Sequence, residues 1–295
     1  MTDPNYSIIR LDSAALPYRS GPNSEESSVL FIGNATVLIR CAGFTILTDP
    51  TFVHMHGKVP IGYQMHSTRL TNPAMDIADL PPLDFILLSH WHGDHFDPIA
   101  ERGFDRDTLI VTRPEAASEL IQRGFTNTRS LETWETVQFE KGEASLRITS
   151  TPAKHGPALT GILVPEVMGS VLEFQAGPHK ETYRIYITGD TLMYDGIRQI
   201  PARFPEIDLA LLHLGGARIL GVTVTMDGAD GLEVLQTINP ERAIPVHFDD
   251  YDVFESPLSD FTREVEIAGL GQKIHYLNRG DSYRFIVKSK LLMDA

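Results

Sequence analysis

One cysteine stands in 295 residues, Cys41, so no disulfide can form within the chain and no thiolate-rich metal site can be built. It sits in an apolar stretch and reads as a small core residue of a protein kept in a reducing compartment. Positive charge is scarce as well: 25 Lys and Arg face 39 Asp and Glu, a net charge of -14. That balance argues against broad nucleic-acid binding and against a basic membrane-facing patch. Long hydrophobic runs are missing. The apolar runs 85–88 and 209–212 are far too short to span a bilayer, and residues 1–16 lack the basic-then-apolar pattern of a secretory leader. The expectation is a cytoplasmic globular protein with no nucleic-acid partner and no stable membrane insertion.

What is present is strongly patterned. Residues 1–27 are rich in Ser, Pro, Asn and Glu and read as an N-terminal arm or loosely packed edge, with residues 28–295 as one domain. Apolar, β-branched runs predict strands over 29–32 and 35–40, joined at Gly33-Asn34, a strong hairpin-turn pair. A strand over 44–48 ends at Asp49-Pro50, where proline stops ladder pairing. Residues 52–80 show no clean period, and a loop that long inside a domain is usually functional. Further strands are predicted over 84–89, 137–139, 145–149, 184–188, 208–212 and 243–246. Helices are predicted over 114–124, with proline at its start, over 227–238, and over 257–268 with Ser256 as N-cap and Gly269 as stop. Strands and helices interleave through both halves, as in layered sheets covered by helices.

The chemistry concentrates in His90-Trp91-His92-Gly93-Asp94-His95, directly after an apolar strand. Composition alone gives roughly 0.002 expected matches to three histidines and an acid in these positions, which sets aside a chance polar loop. On an extended turn, His90 and His92 alternate so that both imidazoles can aim at one metal, while Asp94 and His95 face a second. Gly93 leaves room for a close backbone approach. Imidazoles and carboxylates without thiolates suit Zn(II), and also Mn(II) or Fe.

His-x-His-x-Asp-His after a strand resembles the signature of the metallo-β-lactamase superfamily. The resemblance implies an α/β (α+β) fold, an αββα four-layer sandwich, and four further residues at strand ends, all found in order. Asp49 matches the buried acid that supports the histidine loop. His155 matches the third ligand of a first metal, Asp190 the carboxylate bridging both, and His247 the last ligand of the second. The metal set is then His90, His92, Asp94, His95, His155, Asp190 and His247, holding two divalent ions, with Asp94 and Asp190 orienting the attacking water. The segments Asp79-Leu-Pro-Pro-Leu-Asp, Thr48-Asp-Pro-Thr-Phe and Ser150-Thr-Pro-Ala-Lys-His are similar to the branch containing L-ascorbate-6-phosphate lactonase and N-acylphosphatidylethanolamine-hydrolysing phospholipase D.

That branch implies a dinuclear hydrolase of a small-molecule ester, lactone or phosphodiester, acting as lactonase, esterase or phosphodiesterase. The chain departs from the phospholipase in carrying His54, His56 and His66 in the long loop, and His213 in Leu-Leu-His-Leu-Gly-Gly where a proline is expected. The 57 residues from Asp190 to His247 leave no room for the nuclease insertion of RNA-processing members. A metal-binding redox or oxygen-sensing protein on the same fold is the rival reading; intact Asp94, His95, Asp190 and His247 favour the hydrolase. The loop 52–70 is expected to overhang the site, with His54, His56, His66 and Arg69 recognising an anionic substrate. His213 at a strand end and Tyr194 after Asp190 join it as candidate substrate contacts. His179 reads as a surface turn and His275 as a strand residue, and the composition is compatible with a homo-oligomer.

Overall fold

Unbroken apolar runs along the central strands imply burial on both faces of a sheet. A computed structural model describes residues 6–12, 26–62, 65–157, 165–177 and 181–287 and shows how both faces are covered. In the strand Thr36–Cys41, Val37, Ile39 and Cys41 point into a cluster between two sheets, and Leu38 points the opposite way, beneath helices. Phe44–Thr48 divides Ile46 from Leu47 in the same manner, and Phe85–Leu87 divides Phe85 from Ile86. The two-residue period of a strand thus feeds two separate cores at once.

One seven-stranded sheet runs in the order Tyr6–Arg10, Thr136–Lys141, Ala144–Thr151, Gly169–Gln175, Tyr183–Ile187, Leu209–His213 and Arg242–Val246. The other runs Ser282–Ile286, Glu26–Gly33, Thr36–Cys41, Phe44–Thr48, Phe85–Leu87, Ile110–Thr112 and Thr128–Ser130. Their inner faces meet, with Phe85 stacked on Phe139 at 4.6 Å between ring centres. Helices Gly228–Ile238 and Leu258–Ile267 cover the first sheet, setting Val234, Leu235, Phe261 and Val265 against Tyr186, Ala210 and Leu212. Helices Pro98–Gly103 and Pro114–Gln122 cover the second, setting Ala100, Ala116 and Leu120 against Leu47, Ile86 and Ile110. The layers read αββα, as expected.

The parallel parts of the two sheets place the site. Phe44–Thr48, Phe85–Leu87 and Ile110–Thr112 run parallel, as do Tyr183–Ile187, Leu209–His213 and Arg242–Val246. Parallel strands release their carboxyl ends on one edge, where α/β proteins bind ligands. Asp49, His90, Asp190, His213 and His247 all stand at or just past such ends.

Several elements differ from the sequence reading. Residues 1–27 include the strand Tyr6–Arg10, which pairs parallel with Thr136–Lys141 at a sheet edge. The loop 52–80 holds a small hairpin, Lys58–Pro60 with His66–Thr68, and a 3-10 turn Ile77–Asp79; strands of three residues are too short to show a period. Ser256 does not cap the last long helix. Pro257 occupies that position without a side-chain bond, and Ser256 Oγ instead accepts from the Gly228 amide at 3.2 Å. His275 lies outside any named strand and donates its amide to Ala243 at 2.8 Å. His179 lies outside the described residues. Among the described residues no helix is long and apolar enough to cross a membrane.

Candidate metal centre

The histidine loop is held before any side chain meets a ligand. Asp49, in left-handed backbone at φ 35°, is buried and accepts the Ser89 amide through Oδ1 at 2.7 Å, directly before His90. Its Oδ2 lies 3.2 Å from His95 Nδ1. Gly93 donates its amide to Pro60 at 2.9 Å, and a Cβ there would meet that carbonyl oxygen at 2.5 Å, so only glycine lets the 58–68 hairpin close on the loop. Asp97, which the sequence reading passed over, accepts from Ile99 and Ala100 to cap Pro98–Gly103 and from Phe52 and Val53 to pin the strand exit after Asp49. An acid two residues past His92-Gly93-Asp94-His95 and directly before proline is an N-cap signal that could have found it.

The seven residues expected as ligands converge. Their donor atoms form three overlapping groups, each within 4.8 Å: His90, His92 and His155; His90, His95 and Asp190; Asp94, His95 and His247. Six of the seven are buried, and His92 is the partly exposed member. Asp190 lies between the groups, its Oδ2 3.2 Å from His95 Nε2 and 3.9 Å from His90 Nε2, its Oδ1 3.6 Å from His247 Nε2. Gly189, at φ 60°, makes the turn that presents it.

Tautomers decide whether cations fit. His155 Nδ1 donates to the Val224 carbonyl at 2.8 Å, and His247 Nδ1 to the Leu214 carbonyl at 3.2 Å; a carbonyl can only accept. His95 Nδ1 donates in the same way to the Asp49 carboxylate. In each neutral ring the lone pair therefore sits on Nε2, facing inward. His95 Nε2 and His247 Nε2 are 3.2 Å apart, and His155 Nε2 is 3.4 Å from His92 Nδ1. Facing lone pairs repel unless a proton or a metal cation lies between them. Oδ1 of Asp94 and Oδ1 of Asp190 are buried with no hydrogen-bond partner, a costly state that a cation would relieve. Rings anchored at Nδ1 with free Nε2 are the usual arrangement of metal-binding histidines. The donor set, imidazoles and carboxylates without a thiolate, fits borderline divalent cations.

Electrostatics divide the rings. Burial disfavours a charged His95, yet Asp190, Asp49 and Asp94 around it hold its pKa well above the imidazole value. His90 is held well below by burial and by neighbouring imidazoles, and for the same reasons His92 is pushed down to about 3. Against burial, His247 and His95 hold Asp190 well below the carboxylate range, and they hold Asp94 at about 2. The centre is a block of ionised carboxylates among two kinds of ring: His90, His92 and His155 are kept neutral with lone pairs to offer, while the carboxylates hold on His95 and, through Asp190 and Asp94, on His247 a proton that a cation would displace.

The expected substrate contacts fare differently. Arg69 is fully buried and bonded to Asp250 at 2.9 Å, Thr51 at 3.0 Å and Tyr251 at 3.2 Å, so it anchors the loop and cannot meet a substrate. His213 is 1 % exposed, with Nδ1 at Thr188 Oγ1 and Nε2 3.6 Å from Asp49 Oδ2; it backs Asp49 and does not face a rim. His54 is exposed and paired with Asp76 at 2.8 Å, while His56 and His66 are exposed; none of the three joins the seven. Tyr194 is half-buried in the cluster under the outer helices, its ring against Gly196. Among the described residues, His54, His56, His66 and Arg69 do not gather into the anion-binding wall expected from this loop. A cavity of about 490 Å³ instead opens beside His92, with Trp91, Phe96 and Pro60 on its walls and Glu101, Glu115, Glu119, Glu166 and Arg123 among its polar groups.

The family model described as a beta-lactamase superfamily domain matches residues 45–248, from just before Asp49 to just after His247. A metal-dependent hydrolase of Pelotomaculum thermopropionicum is 30% identical over 201 residues, 68% of this chain and 81% of that one. A metal-dependent hydrolase of Natranaerobius thermophilus is 27% identical over 213 residues, 72% and 86% of the two chains. Among solved structures, an isothiocyanate hydrolase from Delia radicum gut bacteria shares the fold at a TM-score of 0.73 and 24% identity, over 88% of this chain and 99% of that one.

Proposed function

The chain belongs to the metallo-β-lactamase superfamily, and from that premise we propose that it is a metal-dependent hydrolase working with two divalent cations on a small-molecule ester or lactone. The observation that carries the reading is the inward convergence of imidazole lone pairs and carboxylate oxygens that lack any donor. His90, His92 and His155 would hold one cation, Asp94, His95 and His247 the other, with Asp190 shared. Zn(II) suits this set best, and Mn(II) or Fe also suit it.

Such a pair, when bound, supplies Lewis-acid activation of water and of the scissile group. The chain's own part is positional and protolytic. Asp94 and Asp190, held ionised, would orient the attacking water, and either could pass its proton on. Asp49 keeps the loop and the His95 tautomer fixed, so the acceptors need not reorganise during the reaction. No serine or cysteine nucleophile is required.

Charge ranks the substrates. The cavity beside His92 is of small-ligand size, and its four glutamates outnumber the two arginines paired with them, Arg123 with Glu101 and Glu119 and Arg113 with Glu115 and Glu166. Neutral lactones and carboxylic esters therefore rank ahead of phosphodiesters, which would bring a further negative charge to this wall. The test is to purify the protein without a chelating tag, count metals by mass spectrometry, and screen lactones, esters and phosphodiesters in parallel. Two cations per chain are expected, with His90→Ala and His247→Ala each lowering metal content and rate together. A chain saturated by a single ion and indifferent to more would sink the two-cation reading.

A further inference from the structure

Asn34 sits in the turn between the strands Glu26–Gly33 and Thr36–Cys41, where its sequence neighbours account for a turn and nothing more. It is 0% exposed and adopts left-handed backbone at φ 53°. Its three hydrogen bonds do not serve the hairpin. The side-chain amide Nδ2 donates to the Asp94 carbonyl at 2.6 Å, the Asn34 carbonyl accepts the His247 amide at 3.0 Å, and the Asn34 amide donates to Asp250 Oδ2 at 2.7 Å. Asp94 and His247 are two of the three residues in one candidate cation group. No bond runs from Asn34 to His90, His92 or His155.

Asp250, in turn, is fixed by Arg69 at 2.9 Å, Thr71 at 2.5 Å and Arg279 at 3.1 Å. The side-chain oxygen of Asn34 remains buried without a partner. An orphaned acceptor and a left-handed non-glycine backbone at one residue are both unfavourable, and such strain persists where the surroundings over-determine it. His247 shares the strain at φ 62°. The hub ties these strained residues together.

We infer that Asn34 is a positioning residue for the Asp94–His95–His247 cation group alone, holding Asp94 and His247 at one spacing against a support fixed by Asp250. The inference rests on the two-cation reading above. Asn34→Gly keeps the left-handed backbone and both backbone bonds and removes only the bond to Asp94. Asn34→Asp keeps the shape and sets a carboxylate against the Asp94 carbonyl. Metal-free protein is titrated with Zn(II) against a chromophoric chelator, and its thermal unfolding is followed in parallel.

Wild type should show two sites, and both variants should weaken one of them about ten- to a hundredfold, as losing the partner of a ligand does. In a His155→Ala background, where the Asp94 group is left, Asn34→Gly should weaken the remaining strong site; in a His247→Ala background it should leave the remaining affinity unchanged. Metal-free Asn34→Gly should unfold close to wild type. Equal weakening of both sites with a lowered metal-free melting temperature makes Asn34 merely structural and overturns the inference, as does no change at either site. A wild type that takes one cation overturns the two-cation reading itself, a result distinct from both. Should Asn34→Asp fail to fold, Asn34→Gly still decides.

Discussion

Two segments border the same strand ends and carry three histidines each, yet only one of them is built as a centre. His90, His92 and His95 stand in a loop whose Ser89 amide is taken up by Asp49 and whose His90 and His95 Nδ1 atoms meet Ser89 and Asp49, leaving their Nε2 atoms turned inward beside the Nδ1 of His92. His54, His56 and His66 stand on the 53–68 segment, all exposed, and the first is spent on a surface pair with Asp76. Histidine count does not separate them. What does is whether the rings are held by buried partners, Ser89 at His90 and Asp49 at His95, so that the other ring nitrogen is turned inward toward a cation.

The largest effect should come from the residue that joins the groups on the built side. Asp190→Ala removes the one carboxylate within reach of His90, His95 and His247. Metal content should fall toward zero, and kcat/KM on any accepted substrate should drop by more than ~100-fold, beyond the usual cost of losing a supporting partner. Retention of both proposed ions would break the comparison at its strongest point, since Asp190 is the residue proposed to be shared between them.

The second effect sits on the other segment and is one of stability. Arg69→Met leaves Asp250 buried at 0% exposure without its nearest cation. Breaking a buried pair by removing one partner costs about 3–5 kcal/mol, which for a chain of this size lowers the melting temperature by roughly 10 °C. KM should stay as in wild type. A raised KM with an unchanged melting temperature would return Arg69 to the substrate-binding role that its position in the sequence suggested.

The two segments also show what a sequence can carry. His90, His92, Asp94 and His95 are legible because their spacing on one extended loop is itself the geometry, and Asp49, Asp190 and His247 because each ends an apolar strand. The apolar runs over 35–40 and 44–48 pointed to layered sheets covered by helices, and the structure divides Val37 from Leu38 and Ile46 from Leu47 between two cores. Arg69 was misread because a cation in a polar loop looks the same whether its partner is a substrate or an aspartate 181 positions away. Asn34 and Asp250 were invisible for the same reason: their bonds join the turn at 33–34 to residues from Asp94 to Asp250, contacts no local pattern encodes. Tyr6–Arg10 escaped because its partner, Thr136–Lys141, is equally remote.

A smaller effect follows from acid. Burial pushes the Asp250 carboxyl up, but the charge of Arg69 and the hydrogen bond from Arg279 outweigh it and hold its pKa below the ordinary value. The unfolded chain takes up this proton near pH ~4, the folded chain only at lower pH. The stabilisation is therefore complete above that range and is lost as pH falls through it toward the folded pKa. Asp250→Asn should flatten the decline of melting temperature between about pH 5 and pH 3 relative to wild type. An unchanged slope would mean that the acid sensitivity arises from Asp49, Asp94 and Asp190 instead.

The smallest effect sharpens the comparison most, because the two accounts of the 53–68 segment disagree about it. The His54 and Asp76 side chains are 61% and 62% exposed, so their 2.8 Å contact lies in high dielectric and is screened by salt. Exposed pairs contribute about 0–1 kcal/mol, and holding two side chains in one geometry offsets part of that. His54→Ala should therefore move the melting temperature by no more than ~2 °C. It should leave metal content and KM as they are, because the imidazole is turned to Asp76 and not to any of the seven inward side chains. The same holds for His56→Ala, an exposed residue in left-handed backbone at φ 72°. A several-fold rise in KM from either change, at constant stability and metal content, would show that this segment reaches the substrate after all, and the contrast between a built loop and a spent one would have to be redrawn.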